Sequence, residues 1–140
     1  MPEEESTTPD LVRLTRQAID ASNRGDIDAI MGLFAPDAVW ESLDGIGVFK
    51  GATAVRGFLT DWLSSYEVFD TEAEEVANLG GGITFVVVRQ SGRLLGAAGR
   101  MQQRFAWAIA WERRLAVHVF AGIDIEKARA AAERLAQERE

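Results

Sequence analysis

His118 is the only histidine in the chain and stands in the run Arg114-Leu115-Ala116-Val117-His118-Val119-Phe120. Side chains alternate across a strand, so His118 is expected to share a face with Ala116 and Phe120. A tight turn at Arg113-Arg114 would pair Ile109 with His118 and Trp107 with Phe120. Phe105, Trp107 and Ile109 would then join His118 on one apolar face. An imidazole in such a setting can act as base, acid or hydrogen-bond donor. The plainer alternative is a histidine satisfied by a neighbour, or exposed on the outer face. Gln103 falls on the same face as Phe105, where it would orient a carbonyl or pair with a neighbouring group. Asp44, just before Gly45, would reach over a pocket mouth or serve only a turn.

Other chemistries are excluded by what the chain lacks. It has no cysteine, so disulfides, thiol nucleophiles and thiolate metal sites are out of reach. With one histidine, a transition-metal site is not expected. Gly80-Gly81-Gly82 lacks a following Lys-Ser/Thr, and Gly92…Gly96…Gly99 precedes a strand instead of a helix, so neither is a phosphate loop. The acids Glu72, Glu74 and Glu75 read as a solvated face. A net charge of −7 with no basic stripe argues against nucleic acid. No apolar run spans a bilayer and the acidic start does not resemble a secretion signal, so the expected location is cytoplasmic.

The 140 residues fit one domain. Residues 1–7 are expected to form a disordered tail, with residues 8–140 as the domain. Thr8-Pro9-Asp10 reads as a helix start and Asn23-Arg24-Gly25 as its end. Asp26 caps a second helix whose Ile27, Ile30, Met31 and Phe34 share one face, and Pro36-Asp37 stops it. A strand over 38–42, a turn-rich stretch and a helix over about 52–65 follow, the helix carrying Val55, Phe58, Leu59, Trp62 and Leu63 on one side. From residue 67 the period falls to two. Strands are expected over 67–79, 83–89, 100–111 and 115–122, and Asp124 caps a closing helix from Ile125 to about Ala136.

This order resembles the nuclear-transport-factor-2-like (ketosteroid isomerase-like) superfamily and, within it, the SnoaL-like family. The likeness rests on Asn23-Arg24-Gly25-Asp26-Ile27 running into Phe34-Ala35-Pro36-Asp37-Ala38-Val39-Trp40, on Phe49-Lys50-Gly51, and on Arg104-Phe105-Ala106-Trp107. It implies an α+β cone, in which a curved, mostly antiparallel sheet wraps N-terminal helices around an internal pocket. It also implies that position 118 points into the pocket and that Ser42 and Asp44 lie near the place where relatives keep a general base. Relatives similar to ketosteroid isomerase carry a Tyr, a base and a second acid where this chain has Ala18, Ser42 and Phe105. Relatives similar to limonene epoxide hydrolase need late-strand acids, and residues 100–111 and 115–122 contain no Asp. Neither machinery is expected here.

Trp40, Phe58, Trp62, Phe105, Trp107 and Phe120 are expected to line the pocket, with Ser42 beside them, and to favour an apolar or aromatic guest. On the opposite face Leu115, Val117, Val119 and Ala121 would join Ala106, Ala108 and Ala110. That apolar layer calls for cover, and a homodimer is expected to supply it. Two functions follow. One is cofactor-independent proton transfer on an aromatic or polycyclic carbonyl compound, with His118 as the working residue assisted by Gln103, Ser42 or Asp44. The other is a non-catalytic ligand-binding or scaffold domain of the same shape.

Overall fold

The computed structural model describes the backbone of residues 2–139 and the side chains of residues 11–139. The expected tail over residues 1–7 and the helix start at Thr8-Pro9-Asp10 lie outside the residues whose side chains are described. The order is α1 (Pro2–Arg24), α2 (Ile27–Met31), β1 (Phe34–Ser42), β2 (Val48–Lys50) and α3 (Ala52–Ser64). Then come β3 (Tyr66–Gly80), β4 (Ile83–Leu94), β5 (Met101–Glu112), β6 (Leu115–Gly122) and α4 (Ile125–Glu138). One curved sheet runs in the order β2-β1-β6-β5-β4-β3, with β1 and β6 parallel and every other pair antiparallel.

Local chemistry sets the element ends. Gly25, at φ 66°, takes the left-handed conformation that closes α1, and Asp26 accepts the Ala29 N–H at 3.1 Å to open α2. Asp124 does the same for α4 through Lys127 N–H at 3.1 Å. The second helix is shorter than its periodicity predicts. Phe34 already belongs to β1, and the strand passes through Pro36 because the β1–β6 register shifts between Phe34 and Val39. A proline cannot donate to a ladder and is tolerated at such an irregularity. The three-residue β2 is too short to leave a periodic trace in the sequence.

The helices α1, α2 and α3 fill the concave face. Leu11, Leu14, Ile19, Ile30, Val55 and Leu59 pack there against Val86, Val88, Ile109 and Val119. Asn23 fixes the end of α1 to the edge strand: its side chain donates to Thr71 O at 2.8 Å and accepts Thr71 N–H at 2.6 Å. On the convex face, α4 lays Ala128, Ala132 and Ala136 onto Ala106, Ala108 and Ala110, with Ile83, Phe85 and Val87 beside them. The cover expected from a second copy is thus supplied over these strands by the chain's own last helix.

The facing of β6 corrects the sequence reading. Arg113 and Arg114 do form a two-residue turn, with φ 54° and 67°, and Glu112 pairs with Leu115. Trp111 then pairs with Ala116, but Ala110 pairs with His118, so Val117 is an extra residue in a β-bulge. A one-residue slip sends each later side chain to the other face. Ile109 therefore pairs with Val119 and Trp107 with Ala121. Val119 and Ala121 join the concave core, whereas His118 and Phe120 point outward.

Candidate functional site

Two adjoining chambers lie between the helices and the concave face. The inner one, about 50 Å³, is bounded by α1 and α2 through Ala18, Ser22 and Ile30, by α3 through Leu59 and Trp62, and by strands bearing Trp40, Trp107, Ile109, Trp111 and Val119. All four tryptophans of the chain line it. The outer one, about 130 Å³, shares Trp40, Trp62 and Trp107 and adds Ser42, Asp44, Ile46, Phe58 and Phe105. A water needs on the order of 10–15 Å³, and an apolar cavity of about 150 Å³ is enough to hold benzene. The outer chamber is therefore close to the size of one aromatic ring.

The walls are held by ring contacts. Trp40 meets Phe58 at 5.7 Å and Trp107 edge-on at 6.4 Å, while Phe49 stacks on Phe58 at 4.4 Å. Trp62 meets Phe105 edge-on at 6.1 Å. Offset and edge-on pairs are the geometries that aromatic quadrupoles favour. Trp111 turns its polar atom away from the cavity problem: its Nε1–H donates to Thr84 Oγ1 at 2.9 Å. Thr84 Oγ1 is 3.1 Å from Thr15 Oγ1, and Thr15 donates to Leu11 O at 2.8 Å. This buried relay ties the floor of the site to α1.

Of the expected site residues, Trp40, Ser42, Asp44, Phe58, Trp62, Phe105 and Trp107 come together around the outer chamber. Ser42 and Asp44 also have turn duties. Ser42 Oγ accepts N–H from Asp44 at 3.1 Å and from Ile46 at 3.3 Å. The Asp44 carboxylate accepts the Ile123 N–H at 3.0 Å, fastening the β1–β2 turn to the start of α4. Gln103 is apart from these, in a third recess with Tyr66, Phe69, Gln90 and Phe105.

His118 and Phe120 are corrections. His118 Nε2 lies 3.1 Å from Glu41 Oε1, and its ring stacks on Phe120 at 4.2 Å, outside the chambers. The cause is the Val117 bulge. Glu41 and Arg104 face outward as alternation predicts, Arg104 donating to Glu74 Oε1 at 2.9 Å. Trp111 in the inner chamber and Gln90 in the third recess were not anticipated, although alternation through Trp107 and Ile109 leads straight to Trp111.

The positions that the family resemblance reserves for proton-transfer groups, Ala18, Ser42 and Phe105, all line the chambers. None carries a group that titrates near neutrality. Asp44 is the one titratable side chain along either chamber, and among the described residues no cluster of His, Cys, Asp and Glu could hold a metal ion.

The SnoaL-like domain model matches residues 15–122. The chain belongs to the SnoaL-like family. No curated protein sequence matches it. Among solved structures this SnoaL-like chain is similar to an NTF2-like protein of unknown function from Burkholderia pseudomallei, with TM-score 0.73, 19% identity and coverage of 91% of this chain and 97% of that one. It is also similar to an LEH-like epoxide hydrolase of M. tuberculosis, with TM-score 0.72, 14% identity and coverage of 91% and 92%. A third is a putative polyketide cyclase from Xanthomonas campestris, with TM-score 0.70, 18% identity and coverage of 89% and 98%. At these identities the likeness establishes a shared fold: the SnoaL-like, ketosteroid isomerase-like cone. No described helix is long and apolar enough to cross a membrane.

Proposed function

We propose that this SnoaL-like domain binds a small apolar molecule, about one aromatic ring in size, in the tryptophan-lined chambers and does so without transforming it. The observation that carries this reading is the composition of the walls. All four tryptophans converge on one cavity system, whose only non-aromatic polar side chains are Ser22, Ser42 and Asp44. Ser42 and Asp44 are already engaged in turns. Such a site gains from burying apolar surface and has little with which to move a proton. Calorimetric titration with cumene tests it: saturable binding that weakens at least tenfold in Trp62→Ala supports the reading, and no heat of binding overturns it.

A second reading has one observation in its favour, the Asp44 carboxylate in the wall of the outer chamber. In that case Asp44 would take an α-proton from a bound ketone. Deuterium exchange into phenylacetone, followed by NMR, separates the two. Exchange above the buffer rate that disappears in Asp44→Asn would establish catalysis; exchange at the buffer rate leaves the binding reading alone.

A further inference from the structure

Thr71, Gln90 and Gln103 occupy matching register positions on β3, β4 and β5, forming a polar row across the concave face beside Phe105. Thr71 and Gln90 are only 4% and 5% exposed. Thr71 Oγ1 and Gln90 Nε2 are buried and have no hydrogen-bond partner in the protein. Buried polar atoms are nearly always paired, so two orphans on directly opposed residues point to a guest that pairs them.

Gln90 and Gln103 line a recess of about 50 Å³, with Tyr66, Phe69 and Phe105 as its aromatic walls. Gly92 completes it. A Cβ there would stand 2.5 Å from Val68 O and 3.1 Å from the Tyr66 ring, so the backbone itself forms that part of the wall. No charged side chain lines the recess. A neutral oxygen suits it better than a carboxylate, which would be stripped of water with no cation to meet it. Phe105 is common to this recess and the outer chamber, and it is only half-buried. The two spaces are therefore divided by one side chain and not by a strand.

We propose that Gln90, with Thr71 and Gln103 beside it, is the hydrogen-bonding end of the guest site, and that Gln90 Nε2 donates to the carbonyl oxygen of an aromatic ketone or aldehyde whose ring lies in the tryptophan chambers. This rests on the binding reading above and adds a chemical class to it. Gln90 selects the oxygen; the aromatic walls select the ring.

The test is calorimetric titration of acetophenone and of cumene, which share a ring and a branched substituent and differ in the carbonyl. The wild-type protein should prefer acetophenone by roughly tenfold, the worth of one net hydrogen bond. In Gln90→Leu the preference should fall below about twofold while cumene affinity is kept. Circular dichroism confirms that the variant folds; if it does not, Thr71→Val carries the test with a smaller loss of preference. Equal binding of both probes to the wild type, or a preference that survives Gln90→Leu, overturns the subsite and leaves the binding reading standing. Failure of both probes to bind overturns the binding reading and the subsite with it.

Discussion

On the convex face Ala106, Ala108 and Ala110 meet Ala128, Ala132 and Ala136 with the fully buried Phe85 alongside, and the layers close. On the concave face the same strands present Trp107, Ile109 and Trp111 to three helices, and space remains between them. Small side chains let a helix approach closely enough to leave no gap. Large rigid rings, propped edge-on against one another, cannot interdigitate that way and hold a cavity open. The difference separates a face closed by packing from a face that leaves room for the proposed guest.

The largest effect should come from opening the closed face. Phe85→Ala is expected to cost about 3–5 kcal/mol in urea unfolding, since a fully buried ring is removed from a packed layer. Phe58→Ala, on the half-buried rim of the chambers, should cost less than about 2 kcal/mol. Equal losses would break the contrast between the faces.

Overfilling is the next test. Ala108→Leu beneath α4 should destabilise by about 1–3 kcal/mol through strain. Ala18→Leu projects into the inner chamber and should leave stability unchanged or raise it by up to about 1 kcal/mol. The same Ala18→Leu should weaken cumene binding, read in the same titration. A large destabilisation by Ala18→Leu would mean that the inner chamber does not hold usable space.

The smallest effect concerns the ion pair that pins α4 to the sheet. Arg129 donates to both Glu75 oxygens, at 3.0 and 3.1 Å, and its guanidinium lies 4.7 Å from the centre of the Phe85 ring. The hydrogen bond from Arg129, and then its charge, hold the Glu75 carboxyl below its ordinary 4.5. A carboxyl whose folded value is lowered stabilises the protein above the unfolded value, and that contribution is lost as pH falls through the folded one. Thermal melts of wild type and Glu75→Gln should therefore differ at neutral pH and converge as pH drops below about 4.5. Both partners are more than a third exposed, so the difference should stay below about 1 kcal/mol. A gap that widens in acid would contradict the pairing.

Much of the fold was legible because its signals are local and periodic. The caps Asp26 and Asp124, the stop at Gly25 and the α3 stripe from Val55 to Leu63 depend on neighbours in sequence. The walls of the site were legible for the same reason: Phe105 and Trp107 alternate on an unbroken strand, and Trp40 is held opposite Phe49 by β1–β2 pairing. His118 was misplaced because a bulge at Val117 leaves no mark in composition, yet reverses every later residue of β6. Two of the seven residues of the apolar layer from which a homodimer was expected, Val119 and Ala121, belong to the concave core, and α4 covers Ala106, Ala108 and Ala110. Gln90 escaped notice because the strand was expected to end at Arg89, whereas β4 runs on to Leu94.

The most direct test of the account is a proton–nitrogen NMR titration of the protein with cumene, following the four tryptophan indole N–H signals and the ring of His118. The account predicts saturable shifts of the indole signals, led by Trp40, Trp62 and Trp107, with His118 unmoved on the other face of the sheet. Shifts at His118 with the indole signals unchanged would place the guest on the convex side and contradict it.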